Sequence, residues 1–201
     1  MRLACKLPHD CYIAFSGGSD SSALTHFALS HPKRKVALVY VVYQDFNHVD
    51  SELAYVTTAA KEYNLDLILY YAELNPGNLT KEQHWSIQRN KFFNTLDKPV
   101  LTGHNLDDAL EWFMMTSTRG NMIGKLMPII NKNVQRPLLF TNKQTVMKYI
   151  DKHDIKYFYD ITNSDTSIAR NEIRHNVIPS LVKINPGVYR SLIRRYGNIP
   201  G

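Results

Sequence analysis

The stretch Cys11-Tyr12-Ile13-Ala14-Phe15-Ser16-Gly17-Gly18-Ser19-Asp20-Ser21 decides the fold. Its first five residues are apolar, aromatic or β-branched and stop short of two glycines, the pattern of a brief buried strand. A helical stretch, residues 21–30, follows, so the glycines fall in a strand-to-helix turn. In an α/β fold that turn lies at the ligand crevice. The glycines let backbone N–H groups approach an anion, the serine hydroxyls add donors, and the helix N-terminus adds its dipole. Together they read as a phosphate cradle. It is not a Walker A loop, because no lysine follows to reach the β and γ phosphates, and it is not the GxGxxG dinucleotide pattern. The plainer reading is a polar turn whose Ser and Asp cap the next helix. Six residues in this order, directly after the first buried strand, favour the cradle.

Downstream the pattern repeats. Residues 36–42 (VALVYVV) are too apolar and β-branched for an exposed element and read as a strand covered on both faces. Residues 50–63 place Leu53, Val56, Ala60 and Tyr63 three or four apart on a helix; residues 67–71 form a third strand, 81–96 a helix, 99–102 a fourth strand and 106–117 a helix. Alternation of this kind predicts βαβ crossovers, hence a parallel sheet with helices on both faces. Residues 118–135 are rich in Gly, Asn and Pro and read as irregular; helices follow at roughly 143–153, 166–182 and 187–196. The expected division is an α/β nucleotide-binding domain over 1–140 and a basic helical extension of the same catalytic unit over 141–201.

Composition narrows the partners. Of 201 residues, 44% are hydrophobic and 21% charged, which fits a folded chain and excludes the low-apolar signature of disorder. No apolar run approaches the roughly 18 residues of a membrane span, nor does the N-terminus hold a signal-length apolar segment, so the expectation is a cytoplasmic protein without a membrane partner. Cys5 and Cys11 are the only cysteines, neither a disulfide framework nor a CxxC pair. The net charge of +6 is unevenly spread. Residues 1–119 hold 11 Lys and Arg against 13 Asp and Glu, while residues 120–201 hold 13 against 5, which points a polyanionic partner to the C-terminal part.

A second motif, Gly103-His104-Asn105-Leu106-Asp107-Asp108-Ala109-Leu110-Glu111, opens the helix after the fourth strand. Helical spacing puts positions 107, 108 and 111 close to one face, so a carboxylate cluster projects toward the same crevice. Such a cluster can hold a divalent cation on a phosphate ligand or receive a cationic substrate; an acidic first turn favoured by the helix dipole is the alternative. His104 read alone is a turn residue, since the eight histidines show no metal-ligand spacing.

SGGSDS at 16–21 resembles the SGGxDS signature of the PP-loop, or N-type ATP pyrophosphatase, superfamily, whose members split ATP between the α and β phosphates. The 103–111 string resembles GHhxDDxxET, which in that superfamily belongs to the tRNA(Ile)-lysidine synthetases and their relatives. Further matches follow in order: Arg119-Gly120, Arg136-Pro137-Leu138-Leu139, Asp160-Ile161-Thr162-Asn163, and Arg170-Asn171-Glu172-Ile173-Arg174-His175 with Ile178-Pro179, which resembles RNxIRHxxxP. The resemblance covers residues 13–187. Three departures stand out: Trp112 replaces the usual threonine, the tract after the second strand survives only as Asn47-His48-Val49, and Arg89 is the counterpart of an RxxRY string. Cellular members continue into C-terminal domains that help grip tRNA, so this chain resembles a minimal, phage-type form that would use its own basic end or a second subunit in a homodimer.

What the resemblance implies is ATP-dependent adenylation of the wobble cytidine of an isoleucine tRNA, then ligation of free L-lysine with release of AMP. It implies nucleotide binding by Ser16, Gly17, Gly18, Ser19, Asp20, Ser21, Gly103 and His104, and Mg²⁺ at Asp20, Asp107 and Asp108. Asp108 and Glu111 would receive the lysine ammonium and its proton, while Arg89, Arg170 and Arg174 would neutralise phosphates or hold substrates. The nearest rival, a 2-thiocytidine or thiouridine synthetase, needs cysteines that this chain does not arrange as CxxC. A noncatalytic RNA binder would have no use for the cradle.

Overall fold

The computed structural model describes residues 1–44, 49–118, 123–159 and 169–197. Strands and helices alternate as β1 (Asp10–Ala14), α1 (Ser19–Leu29), β2 (Lys35–Val42), α2 (Val49–Glu62), β3 (Leu67–Tyr71), α3 (Lys81–Thr95), β4 (Val100–Leu101) and α4 (Leu106–Ser117). A short hairpin follows, β5 (Ile130–Asn131) and β6 (Val134–Gln135), then a 3₁₀ turn at Pro137–Phe140 and helix α5 (Lys143–His153). The C-terminal part holds α6 (Ala169–Glu172), a π turn (Ile173–Val177), α7 (Ile178–Ile184) and α8 (Val188–Gly197). No helix among the described residues is long and apolar enough to cross a membrane.

Six strands make one sheet in the order β3-β2-β1-β4-β6-β5, parallel except for the β5–β6 edge pair. Ile13 sits opposite Leu38 on one side and Leu101 on the other, and all three are fully buried. One sheet face meets Leu24, Ala28, Val56 and Ala60 of α1 and α2; the other places Val39, Val41 and Val100 against Phe92 and Phe93 of α3. The chain runs outward from β1 to β2 and β3, then returns to β4 on the far side of β1. That reversal leaves a crevice beyond the carboxyl ends of β1 and β4, where open α/β sheets bind ligands.

Two features differ from the sequence reading. Residues 118–135 are not wholly irregular: β6 continues the sheet because Val134 pairs with Val100, while the Asn133 side-chain amide donates to the carbonyls of Phe93, Leu96 and Lys98. The helix anticipated over 166–182 is described from residue 169, and residues 173–177 loosen into the π turn before α7. There Ile178 N–H reaches back five residues to Ile173 O, just ahead of Pro179, which has no N–H to continue the ordinary ladder. The motif residues Asn47-His48, Arg119-Gly120 and 160–163 lie outside the described residues.

Candidate active site

The loop after β1 is shaped by glycine. Gly17 has φ +76°, and a Cβ there would stand 2.6 Å from the Tyr55 ring, so both conformation and space demand the missing side chain. Gly18 caps α1 without any side-chain bond to the first-turn N–H groups. The serines brace the turn: Ser21 Oγ donates to Gly18 O and Ser22 Oγ to Gly17 O. On the far side Phe158 N–H donates to the same Gly17 carbonyl. The result is a rigid turn whose helix N-terminus opens into a cleft of about 690 Å³.

Gly103, after β4, closes the turn from the other side. A Cβ on it would lie 3.0 Å from the backbone of Asp20 and Ser21, so the two chain segments meet at main-chain distance. Asn105 then joins both motifs. Its Oδ1 accepts the N–H groups of Asp107 and Asp108 at the start of α4, and its Nδ2 donates to Asp20 Oδ1 at 2.9 Å. Asp108 completes the capping box by accepting Asn105 N–H at 2.8 Å.

The carboxylates divide into separate roles. Asp20 faces the cleft, its Oδ2 held by Lys143 Nζ at 2.6 Å. Asp108 also lines the cleft and takes the Arg174 guanidinium at 2.8 Å. Glu111 lies beneath the same guanidinium, 1% exposed, with Oε2 at 2.9 Å from Arg174. Burial, the largest influence on Arg174, opposes its charge, but Glu111 and Asp108 outweigh it and hold the guanidinium more firmly protonated than usual. Asp107 turns elsewhere: one oxygen accepts the Tyr189 hydroxyl at 2.6 Å and the other the Lys143 N–H at 2.6 Å. Burial, followed by that hydrogen bond, pushes the Tyr189 phenol well up.

Of the residues singled out in the sequence, Ser16, Gly18, Ser19, Asp20, Ser21, Arg89, Gly103, His104, Asp108 and Arg174 all line this one cleft. Glu111 supports it from below. Asp107 stands apart from them: its two oxygens accept the Lys143 N–H of α5 and the Tyr189 hydroxyl of α8, and it is not among the residues that line the cleft. No group of three His, Cys, Asp or Glu side chains placed to hold a metal occurs among the described residues. A single carboxylate with neighbouring hydroxyls still suits Mg²⁺ arriving on phosphates, which needs only one or two protein carboxylates. Arg170 falls in α6 with its side chain outside the described set.

Residues that sequence reasoning missed complete the walls. Lys143 comes from α5, and Tyr43 stacks on Trp85 with ring centroids 5.0 Å apart beside Arg89. Burial raises the Tyr43 phenol although the Arg89 charge acts against it. Asn105 carried a local signal, since Asn-x-x-Asp before an apolar run is a capping box; Lys143 and the aromatic pair are assembled only by the tertiary fold.

Comparison with known proteins identifies the family and the fold. A tRNA(Ile)-lysidine synthase from Persephonella marina is 31% identical over 199 residues, covering 90% of this chain and 43% of its own length. A protein of the same name from Francisella tularensis subsp. novicida is 30% identical over 200 residues, covering 93% and 50%. The chain thus spans about half the length of the curated relatives it matches. The solved structure of U34-tRNA thiolase NcsA from Methanococcus maripaludis shares the fold with TM-score 0.74 at 18% identity, covering 97% of this chain and 75% of that one. The PP-loop domain model matches residues 6–181, across cradle, acidic helix and Arg174 alike, and the chain belongs to the PP-loop family.

Proposed function

We propose that this chain is the catalytic unit of a tRNA(Ile)-lysidine synthetase. The observation that carries the reading is the meeting, in one cleft, of a phosphate cradle with Asp108, which together with the buried Glu111 behind it already holds the Arg174 cation. The names of the relatives support the same substrate class.

In the first step the 2-carbonyl oxygen of the wobble cytidine attacks the α-phosphorus of ATP; the bond to the β-phosphate breaks and pyrophosphate leaves with its electrons. Ser16 to Ser21 hold the phosphates through backbone N–H and hydroxyl donors. Mg²⁺ on those phosphates would add positive charge, and Asp20, steadied by Asn105, is the carboxylate to hold it. In the second step the lysine ε-ammonium gives a proton to the Asp108 and Glu111 carboxylates, its nitrogen bonds to C2 of the base, and the C2–O bond breaks so that its electron pair leaves on AMP. Asp108 and Glu111 receive the ammonium when Arg174 yields its place, and Arg174 then faces the phosphate side of the cleft. The Tyr43–Trp85 stack beside Arg89 offers a platform for a nucleobase.

Sulfur transfer finds no support in the cysteines. Cys11 is 1% exposed at the start of β1, and burial pushes its thiol up to about 11. Five residues of extended chain, roughly 16 Å, separate it from the loop. A thiolate is the working species in such chemistry, and this one is suppressed.

The test follows ATP labelled at the α-phosphorus in the presence of an isoleucine tRNA transcript. AMP release that requires both tRNA and lysine supports the reading; ADP as the labelled product, or AMP release that requires a sulfur donor, contradicts it.

A further inference from the structure

The cradle lacks the lysine that other phosphate loops carry within the motif, yet the fold delivers one from 123 residues away. Lys143 Nζ lies 2.6 Å from Ser19 Oγ and 2.6 Å from Asp20 Oδ2. It is the first residue of α5, whose axis is held against α1 by Val146 and Ile150 packing on Ala23. Its own N–H is tied to Asp107, and Asn142 caps the helix by accepting Thr145 N–H at 2.9 Å. The backbone is therefore anchored on both sides of the lysine, and only the side chain is free to swing.

Neither helix stability nor the ion pair accounts for a lysine at this position. The N-terminal turn of a helix favours anionic side chains, and α5 has no acidic residue there. The Lys143 side chain is 41% exposed and that of Asp20 27%, a solvated pairing of the kind that adds little to stability. What the arrangement does accomplish is convergence of the N-terminus of α1, the N-terminus of α5 and a side-chain ammonium on one point of the cleft.

We infer that Lys143 is a catalytic residue that leaves Asp20 and Ser19 to bind the β and γ phosphates of ATP and neutralise the departing pyrophosphate. This rests on the adenylation reading only through its use of ATP. As the α,β bridging bond breaks, its electron pair and the resulting charge reside on pyrophosphate, and the ammonium stands beside that charge without itself losing a proton. Asp20, relieved of Lys143, becomes available to the metal.

The experiment measures calorimetric binding of ATP, inorganic pyrophosphate and AMP to the whole chain and to Lys143→Met and Lys143→Arg, without tRNA or lysine. Lys143→Met should weaken ATP and pyrophosphate about 10- to 100-fold and leave AMP within about twofold, with Lys143→Arg regaining most of the loss. Equal loss for AMP, or no loss for pyrophosphate, overturns the inference. On the unaltered protein, pyrophosphate should shield Lys143 from amine acylation read by peptide mass spectrometry, whereas AMP should not; shielding by neither or by both also overturns it. Because no tRNA enters, failure here leaves the lysine-ligation reading standing, and failure of that reading leaves this test unaffected.

Discussion

Gly103 shows how closely the two motifs are fitted at the scale of single residues. The atoms that a Cβ would meet at 3.0 Å are backbone atoms of Asp20 and Ser21, which cannot rotate aside as a side chain would. Gly103→Ala should therefore push the cradle outward by a few tenths of an ångström. The expected result is a stability loss of about 1–3 kcal/mol by urea titration together with roughly tenfold weaker ATP binding. Unchanged ATP affinity would mean that the cradle is not held from this side. The cradle residues were legible in the sequence because glycines, serines and an aspartate followed a strand without interruption. Glu111 was legible as a carboxylate on the right helix, but burial under Arg174 is a tertiary fact, and no spacing rule separates it from the cleft-facing Asp108. Asp107 and Asp108 look alike in the sequence for the same reason: adjacent positions on a first turn are told apart only when Tyr189 and the α5 backbone engage one of them.

Among the elements, the first eight were readable from alternation of apolar runs with helical periodicity, since each strand is long enough or apolar enough to declare itself. The β5–β6 hairpin was not. Two residues per strand give no period to read, and its turn depends on Lys132 at φ +51° and on Asn133 reaching three carbonyls near the end of α3. The α1–α5 pair that aims Lys143 has a pH dependence of its own. His26 Nδ1 shares a 3.0 Å hydrogen bond with the Tyr149 hydroxyl, and its ring lies 4.9 Å from that of His153. Burial, then the His153 charge, lowers the His26 pKa below its ordinary value. On acidification the unfolded chain thus takes up this proton first, so the contribution is complete above about pH 6.5 and is lost as pH falls through the folded value. The melting temperature should decline below about pH 6.5, and His26→Gln should flatten that decline; an identical acid limb in the variant would assign it to other groups.

For the whole molecule, the charge asymmetry along the chain becomes a surface on α8. Leu192 is buried while Arg190 and Arg194 are exposed, and Arg195 lies 4.8 Å from the centre of the Phe113 ring, so its charge is partly engaged in packing. If this helix meets the phosphate backbone of tRNA, Arg190→Glu/Arg194→Glu should weaken tRNA binding and lower the logarithmic salt slope by about 0.7–0.9 for each phosphate no longer neutralised. An unchanged slope would place the RNA elsewhere. That the cradle, the acidic helix and Arg174 converge could be anticipated from the order of motifs, whereas the cation from α5 and the aromatic wall required the fold. The central claim is that this cleft joins lysine to a tRNA base, and mass spectrometry of nucleosides tests it most directly. After incubation of the chain with isoleucine tRNA, ATP and isotopically labelled lysine, digestion should yield one cytidine derivative carrying the label, in proportion to AMP formed. A digest in which no nucleoside carries the label, while AMP accumulates or a thiolated nucleoside appears with a sulfur donor, would contradict it.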